Sequence, residues 1–258
     1  MMRFCSLGSG STGNATLVEG GAGSRPTRVL VDCGFPLREL ESRLLRAGVA
    51  IDALDAVFVT HEHGDHVGCA LSLARRHGVA LWMSRGTHRA IGEPEAPGLR
   101  FARDGEAIDI GDLRLLPYTV PHDASEPLQV TVTDGAVRLG LLTDAGSSTP
   151  HLLRQLASCQ ALMLECNHDR DMLAASSYPA SLKARIAGRH GHLANDTAAD
   201  ILAECLHRGL RHVVAAHLSE RNNTPAIAAG LLAGVLGTSI HDIVVAHPRD
   251  GFGWLDVG

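Results

Sequence analysis

The sequence predicts an α/β protein with a mixed sheet system and helices packed outside it. Three observations carry that prediction. Short runs rich in Val, Leu and Ile recur along the chain, bounded by Gly, Pro, Asp or Asn, as strands are. Stretches of helical periodicity fill several of the gaps between them. The first half is rich in hairpin-like successions, whereas the second half interposes more helix between strands. Periodicity alone leaves open whether the strands form one sheet or two.

In chain order the strand-like runs are Arg3–Leu7, Thr16–Glu19, Arg28–Asp32, Ala56–Thr60, Ala80–Met83, Leu113–Thr119, Gln129–Thr133, Arg138–Thr143, Ala161–Glu165, His212–Ala216 and Asp242–Ala246. Leu37, Leu40, Leu44 and Leu45 recur at helical spacing between Pro36 and Gly48. Val67–His77, Pro150–Ser158, Ala180–Ala187, Asp196–Arg208 and Thr224–Leu236 have the same character. Asn195 or Asp196 is a candidate cap for the helix it begins, and Thr224 followed by Pro225 is a strong start signal for the last one.

Composition narrows the class. The chain has 258 residues, 45% hydrophobic and 20% charged, which suits a globular fold and excludes disorder, collagen and coiled coil. With 5 Phe, 2 Trp and 2 Tyr, the core must be built mainly from Leu, Val, Ala and Ile. The weakly polar run Ala226–Gly237 is too short to span a bilayer. The first residues contain no hydrophobic signal segment. The 6 cysteines form no C-x-x-C pair and fit reduced, packed thiols in a cytoplasmic protein. A formal charge of −5 argues against a non-specific polyanion binder. A single domain spanning residues 1–258 is expected.

Two glycine- and histidine-rich segments stand out. Gly8-Ser9-Gly10-Ser11-Thr12-Gly13 matches a dinucleotide-binding fingerprint, with Asp32 near the position of its acidic residue. The context fails, because a strand (Asn14 to Glu19) and a turn (residues 20–23) follow where a helix should receive the pyrophosphate. The segment is better explained as a tight connection between two strands, or as a nest of backbone N–H groups at the rim of a site elsewhere. The chain also carries 15 histidines, more than its Phe, Trp, Tyr and Met together. Thr60-His61-Glu62-His63-Gly64-Asp65-His66 concentrates three of them with Asp65, straight after an apolar strand. His61 and His63 share one side of an extended stretch. Asp65 and His66 follow the turn at Gly64 and can face a second point, which suits two metal ions a few ångströms apart.

H-x-H-x-D-H after a hydrophobic strand resembles the metallo-β-lactamase superfamily. The resemblance implies a four-layer αββα sandwich with metals at one edge of the two sheets. Further motifs follow in family order: Pro121-His122-Asp123, Thr143-Asp144-Ala145-Gly146 and Ala216-His217-Leu218-Ser219. Carried over, His61, His63 and His122 hold one divalent ion, Asp65, His66 and His217 hold the second, and Asp144 lies between them. Carboxylate and imidazole donors admit Zn²⁺ or Mn²⁺.

The later motifs are similar to those of the YycJ/WalJ family. They are Ser6 to Asn14, Asp32-Cys33-Gly34, Glu165-Cys166-Asn167-His168-Asp169, Tyr178 to Ile186, Gly191-His192-Leu193 and His217 to Asn223, with Ala194 departing from an expected Ser. This implies a 5′→3′ DNA exonuclease linked to DNA repair, in which a metal-bridged hydroxide attacks the phosphodiester. Asp65 would orient that hydroxide and accept its proton. His192 would hydrogen-bond the phosphoryl oxygen or protonate the leaving oxygen. Ser11, Asn14, Lys183, Arg221 and Asn222 are substrate-binding candidates by family position, and the basic segment from Lys183 to Arg189 is a candidate phosphate rim. His168 has no assigned role. Only 47 residues separate Asp144 from His192, too few for an inserted β-CASP domain. A hydrolase of RNA, cyclic phosphodiesters or thioesters on the same fold, and a non-catalytic metal-binding protein, remain alternatives at this point. DNA is the favoured partner, a membrane is not, and oligomeric state is not legible.

Overall fold

The computed structural model describes residues 1–21 and 25–258, so part of the turn expected over residues 20–23 lies outside the described residues. The strands are β1 (Arg3–Gly8), β2 (Ala15–Gly20), β3 (Thr27–Val31), β4 (Ala56–Phe58), β5 (Ala80–Met83), β6 (Leu99–Phe101), β7 (Ile108–Ile110), β8 (Leu113–Thr119), β9 (Leu128–Thr133), β10 (Arg138–Leu142), β11 (Ala161–Glu165), β12 (His212–Ala216), β13 (Val244–Val245) and β14 (Phe252–Asp256). The helices are α1 (Leu37–Arg46), α2 (Gly64–Val67), α3 (Ala70–His77), α4 (Arg85–Ala90), α5 (Pro150–Leu156), α6 (Arg170–Ala175), α7 (Ala180–Ile186), α8 (Asn195–Cys205) and α9 (Pro225–Leu236).

The strands form two seven-stranded sheets, in the orders β14-β1-β2-β3-β4-β5-β6 and β13-β12-β11-β10-β9-β8-β7. Each is antiparallel on one side and parallel on the other: β3 to β6 run parallel, as do β10 to β13. The apolar clusters give the layers. Phe4, Val29 and Phe58 of the first sheet meet Leu115, Leu141 and Met163 of the second between the sheets. Leu40, Leu44 and Leu73 cover the outer face of the first sheet. Leu152, Ile201 and Leu232 cover that of the second. This is the αββα sandwich. Strands β2 and β11 are buried along their whole length, as expected of central strands covered on both faces.

Parallel strands present their C-terminal ends at one edge, where sites in such sheets are built. The connections after β3, β4, β8, β10, β11 and β12 therefore converge on one rim.

Several elements differ from the sequence reading, each for a local reason. β6 and β7 have three residues each, too few to show alternation. β14 is an edge strand interrupted by Gly253. The helix expected over Val67–His77 is broken at Gly68, whose φ is 27° and where a Cβ would strike the Cys33 carbonyl. The preceding turn, α2, carries Asp65 and His66. Neither Asn195 nor Asp196 caps α8; the cap position is Ala194, and the Asn195 amide instead pairs with Asn223 at 2.8 and 2.9 Å. The strand expected over Asp242–Ala246 shrinks to β13 because Ile240–Asp242 forms a 3-10 turn. Thr224 does cap α9, accepting from the Ile227 N–H. The six cysteines are free and buried.

Candidate metal centre

The loop after β4 presents its side chains alternately. His61 turns inward and is fully buried, while Glu62 turns away and accepts from the Ser125 N–H at 2.6 Å, pinning the loop to its neighbour. The extended residues of the loop end at His63, which begins α2 and points back toward His122; their Nδ1 and Nε2 atoms stand 3.3 Å apart. Glycine at position 34 allows the next close approach. A Cβ there would run into the Asp65 carbonyl, so the Asp32-Cys33-Gly34 turn can lie directly against the ligand loop.

Donor atoms converge in overlapping sets. His61, His63 and His122 form one; Asp65, His66 and His217 form a second; His61, His66 and Asp144 link them; Asp144, Glu165, His192 and His217 form a fourth. Within each set the donor atoms lie within 4.8 Å of one another. Asp144 faces several sets at once, with Oδ2 2.9 Å from His66 Nε2 and Oδ1 3.1 Å from His217 Nδ1.

Several of these atoms have no partner. His61 Nε2, Asp144 Oδ2 and His217 Nε2 are buried without a hydrogen bond among the described residues. The short approach of Asp144 Oδ2 to His66 lacks the angle of a hydrogen bond. Buried polar atoms are nearly always satisfied, so a group of convergent orphans fits cations between them. The remaining ring nitrogens are fixed from behind. His122 Nδ1 is 2.9 Å from the Gly191 carbonyl and His217 Nδ1 is 2.7 Å from the Thr143 carbonyl. An Nδ1–H donated to a carbonyl leaves Nε2 as the free donor atom, the usual support of a ligating histidine.

Two carboxylates complete the site. Asp32, at the end of β3, lies 2.7 Å from His66 Nδ1 and accepts from the Thr60 N–H at 2.8 Å. Glu165, at the end of β11, lies 2.7 Å from His192 Nδ1 and accepts from the N–H groups of Ala145 (2.8 Å) and Leu193 (3.2 Å). Neither had been given a role in the site from sequence. The signals in the sequence are an acid ending an apolar run and, for both, a place in a motif of the YycJ/WalJ resemblance, neither of which says what the carboxylate meets.

Protonation follows burial and charge. Burial pushes the His61 imidazole well down, and neighbouring His66 adds to this. Burial also pushes His122 down. Burial opposes charge on His66, but Asp144 and Asp32 outweigh it and raise the ring to about 10. His217 rises well above its usual value against the same opposition from burial, chiefly through Asp144. Burial likewise opposes charge on His192, yet Glu165 and Asp144 raise it to about 9. Burial would raise Asp144, but His217 and His66 hold it well below the carboxylate range.

Of the substrate-contact candidates, Asn14 is the one in direct contact with a ligand residue. Ser11 is exposed in the β1–β2 connection. Asn14 is buried, and its amide is committed to the Gly10 carbonyl (3.1 Å) and Asp65 (3.3 and 3.4 Å), so it fastens the glycine loop to the ligand loop. Arg221 is exposed, its guanidinium 5.8 Å from the Tyr178 ring centroid. Asn222 is buried, and Lys183 donates to the Ala174 carbonyl at 2.6 Å. The glycine segment is a strand-to-strand connection, with the Ser9 hydroxyl accepting from the His217 N–H at 2.9 Å.

A family model described as the beta-lactamase superfamily domain matches residues 27–217. The chain is 31% identical over 256 residues to exodeoxyribonuclease YycJ of Bacillus anthracis, covering 96% of each. It is 28% identical over 232 residues to exodeoxyribonuclease WalJ of Streptococcus pneumoniae serotype 2, covering 88% of this chain and 85% of that one. The metallo-β-lactamase fold protein YhfI from Bacillus subtilis superposes with a TM-score of 0.75 at 18% identity, covering 99% of this chain and all of that one, a likeness of fold.

Proposed function

The chain belongs to the metallo-β-lactamase superfamily and, within it, to the YycJ/WalJ family, and from that premise we propose that it is a metal-dependent phosphodiesterase, a 5′→3′ exonuclease on DNA. The observation that carries this is the convergence of His61, His63, Asp65, His66, His122, Asp144 and His217 beside a Glu165–His192 pair. His61, His63 and His122 would hold one divalent ion, Asp65, His66 and His217 the other, with Asp144 between. Donors that are all imidazole or carboxylate suit Zn²⁺ or Mn²⁺. When bound, such ions supply Lewis acidity, a water of lowered pKa and charge to offset phosphate oxygens.

The chain's own residues do the rest. Asp65, with its side chain 24% exposed, is the carboxylate placed to accept a proton from the attacking water. The His192 side chain is also 24% exposed, and Glu165 engages its Nδ1. Its Nε2–H is then available to hydrogen-bond a phosphoryl oxygen or to protonate the leaving oxygen. The residues 145–191 fold as α5, β11, α6 and α7, in keeping with one catalytic domain over residues 1–258 without a β-CASP insertion. Among the described residues no helix is long and apolar enough to cross a membrane. The DNA preference rests on the exodeoxyribonuclease relatives. A role in DNA repair and a cytoplasmic location belong to the same proposal, the latter supported by six unpaired cysteines.

The test is digestion of end-labelled single- and double-stranded DNA and RNA with added Mn²⁺ or Zn²⁺. Shortening of 5′-phosphorylated DNA from its 5′ end is expected. Asp65→Ala and His66→Ala should abolish it while the protein stays folded. Full activity in either variant overturns the assignment, and turnover confined to a thioester or a cyclic phosphodiester moves the chain to another branch of the superfamily.

A further inference from the structure

Beyond the donor cluster, one buried imidazole has no hydrogen-bond partner among the described residues. His168 follows Glu165 by three residues and is 1% exposed. Neither of its ring nitrogens has a hydrogen-bond partner among the described residues. Native proteins leave few such groups unmet, and each asks for an explanation.

His168 lines a cavity of about 460 Å³ at α6 and α7. The other walls include Leu173 and Ala184, and two cations, Arg170 and Lys183. Arg170 is already paired with Asp196 at 2.6 Å. Lys183 has no carboxylate within ion-pair distance among the described residues, and its ammonium gives one hydrogen to the Ala174 carbonyl, leaving two. Burial pushes the His168 imidazole down to about 4. Glu165, His192, Arg170 and Asp196 are the charged groups acting on it, and burial outweighs them. At neutral pH the ring is therefore neutral, with one N–H to give. A spare ammonium and a spare imidazole N–H in one cavity are the chemistry that receives an oxyanion.

Position makes the oxyanion a substrate phosphate. His168 bridges Ala194, two residues beyond His192, and the next residue's N–H donates to the Asn222 carbonyl at 2.8 Å. His168 itself thus lies between the His192 segment and the Arg221–Asn222 loop, with the cavity beside it, lined by α6 and α7. Three residues of chain place His168 within about 10 Å of Glu165, the reach of an adjacent nucleotide.

We propose that this cavity is a second phosphate subsite, in which His168 and Lys183 donate to the phosphate next to the scissile one on a nucleic-acid strand. The proposal rests on the phosphodiesterase reading above. The test is fluorescence anisotropy on the metal-loaded protein, with a labelled single-stranded oligodeoxynucleotide made slow to cleave by phosphorothioate linkages.

His168→Leu should raise Kd roughly tenfold. Its melting temperature should equal or exceed that of the wild type, because the substitution removes an unmet polar group while keeping bulk. His168→Gln should recover part of the affinity. Lys183→Ala should raise Kd and lower the salt slope by about 0.7. A loss confined to 5′-phosphorylated strands assigns the cavity to the terminal phosphate; an equal loss with 5′-hydroxyl strands assigns it to an internal one. Unchanged Kd in both His168→Leu and Lys183→Ala overturns the subsite. So does a lower melting temperature with unchanged Kd in His168→Leu, which would mark the ring as structural. DNA digestion with unchanged Kd in the variants removes the subsite alone; altered Kd with no digestion of any nucleic acid removes the nuclease reading alone.

Discussion

The two sheets end in matching devices that do different work. In the first, Asp32 closes β3 and holds His66 by Nδ1 at 2.7 Å; in the second, Glu165 closes β11 and holds His192 by Nδ1 at the same distance. Burial separates them. The His66 side chain is fully covered, whereas that of His192 is 24% exposed. One carboxylate–histidine pair is sealed from solvent and, on the proposed reading, would serve an ion inside the cluster. The other opens on the rim and can meet a substrate. The backbone is also unusual at both sheet ends: Asp32 has φ 61° and His217 has φ 54°. Such left-handed non-glycine residues cost roughly 1–3 kcal/mol each and gather where function fixes them.

The comparison can be broken most sharply at His192. His192→Ala should lower kcat by about 10²- to 10⁴-fold with metal content unchanged by elemental analysis; loss of metal would make the two pairs equivalent. A smaller effect of another kind is expected for Asp32→Asn. Metal affinity should fall by about 10- to 100-fold in a chelator competition, and saturating metal should restore turnover. If saturating metal leaves kcat low, Asp32 acts on the reaction and the division fails.

His168 sharpens the contrast from the other side. It is buried like His66 but has no hydrogen-bonding carboxylate, and its pKa moves down to about 4 instead of up. A pKa depressed in the folded state gives stability that is present above the ordinary value of 6.5 and lost as pH falls toward 4. Thermal melts should show wild-type stability declining across that window more steeply than His168→Leu. Parallel profiles would contradict the assignment of His168 as a buried neutral ring.

The repeated apolar runs carried the α/β class and the longer strands, the two-sheet arrangement came from the resemblance, and the short or interrupted strands β6, β7 and β14 and the six-residue helices α4 and α6 were missed. It carried the ligand loop because His61, His63, Asp65 and His66 lie within six residues. His122, Asp144 and His217 were legible only through resemblance and order, since each alone is an ordinary loop or turn residue. Asp32 and Glu165 were overlooked because an acid at a strand end says nothing about which ring it will meet.

The sequence by itself therefore determined an α/β class, its longer strands and the ligand loop of residues 61–66, because periodicity and contiguous spacing are local properties of the chain, whereas the αββα sandwich came from the family resemblance. Only the tertiary structure decided that Asp32 serves His66 and Glu165 serves His192, that one pair is sealed and the other open, and that His168 stands unmet beside Lys183. Those outcomes depend on distance and solvent exclusion between segments far apart in the chain, which local sequence does not encode in readable form.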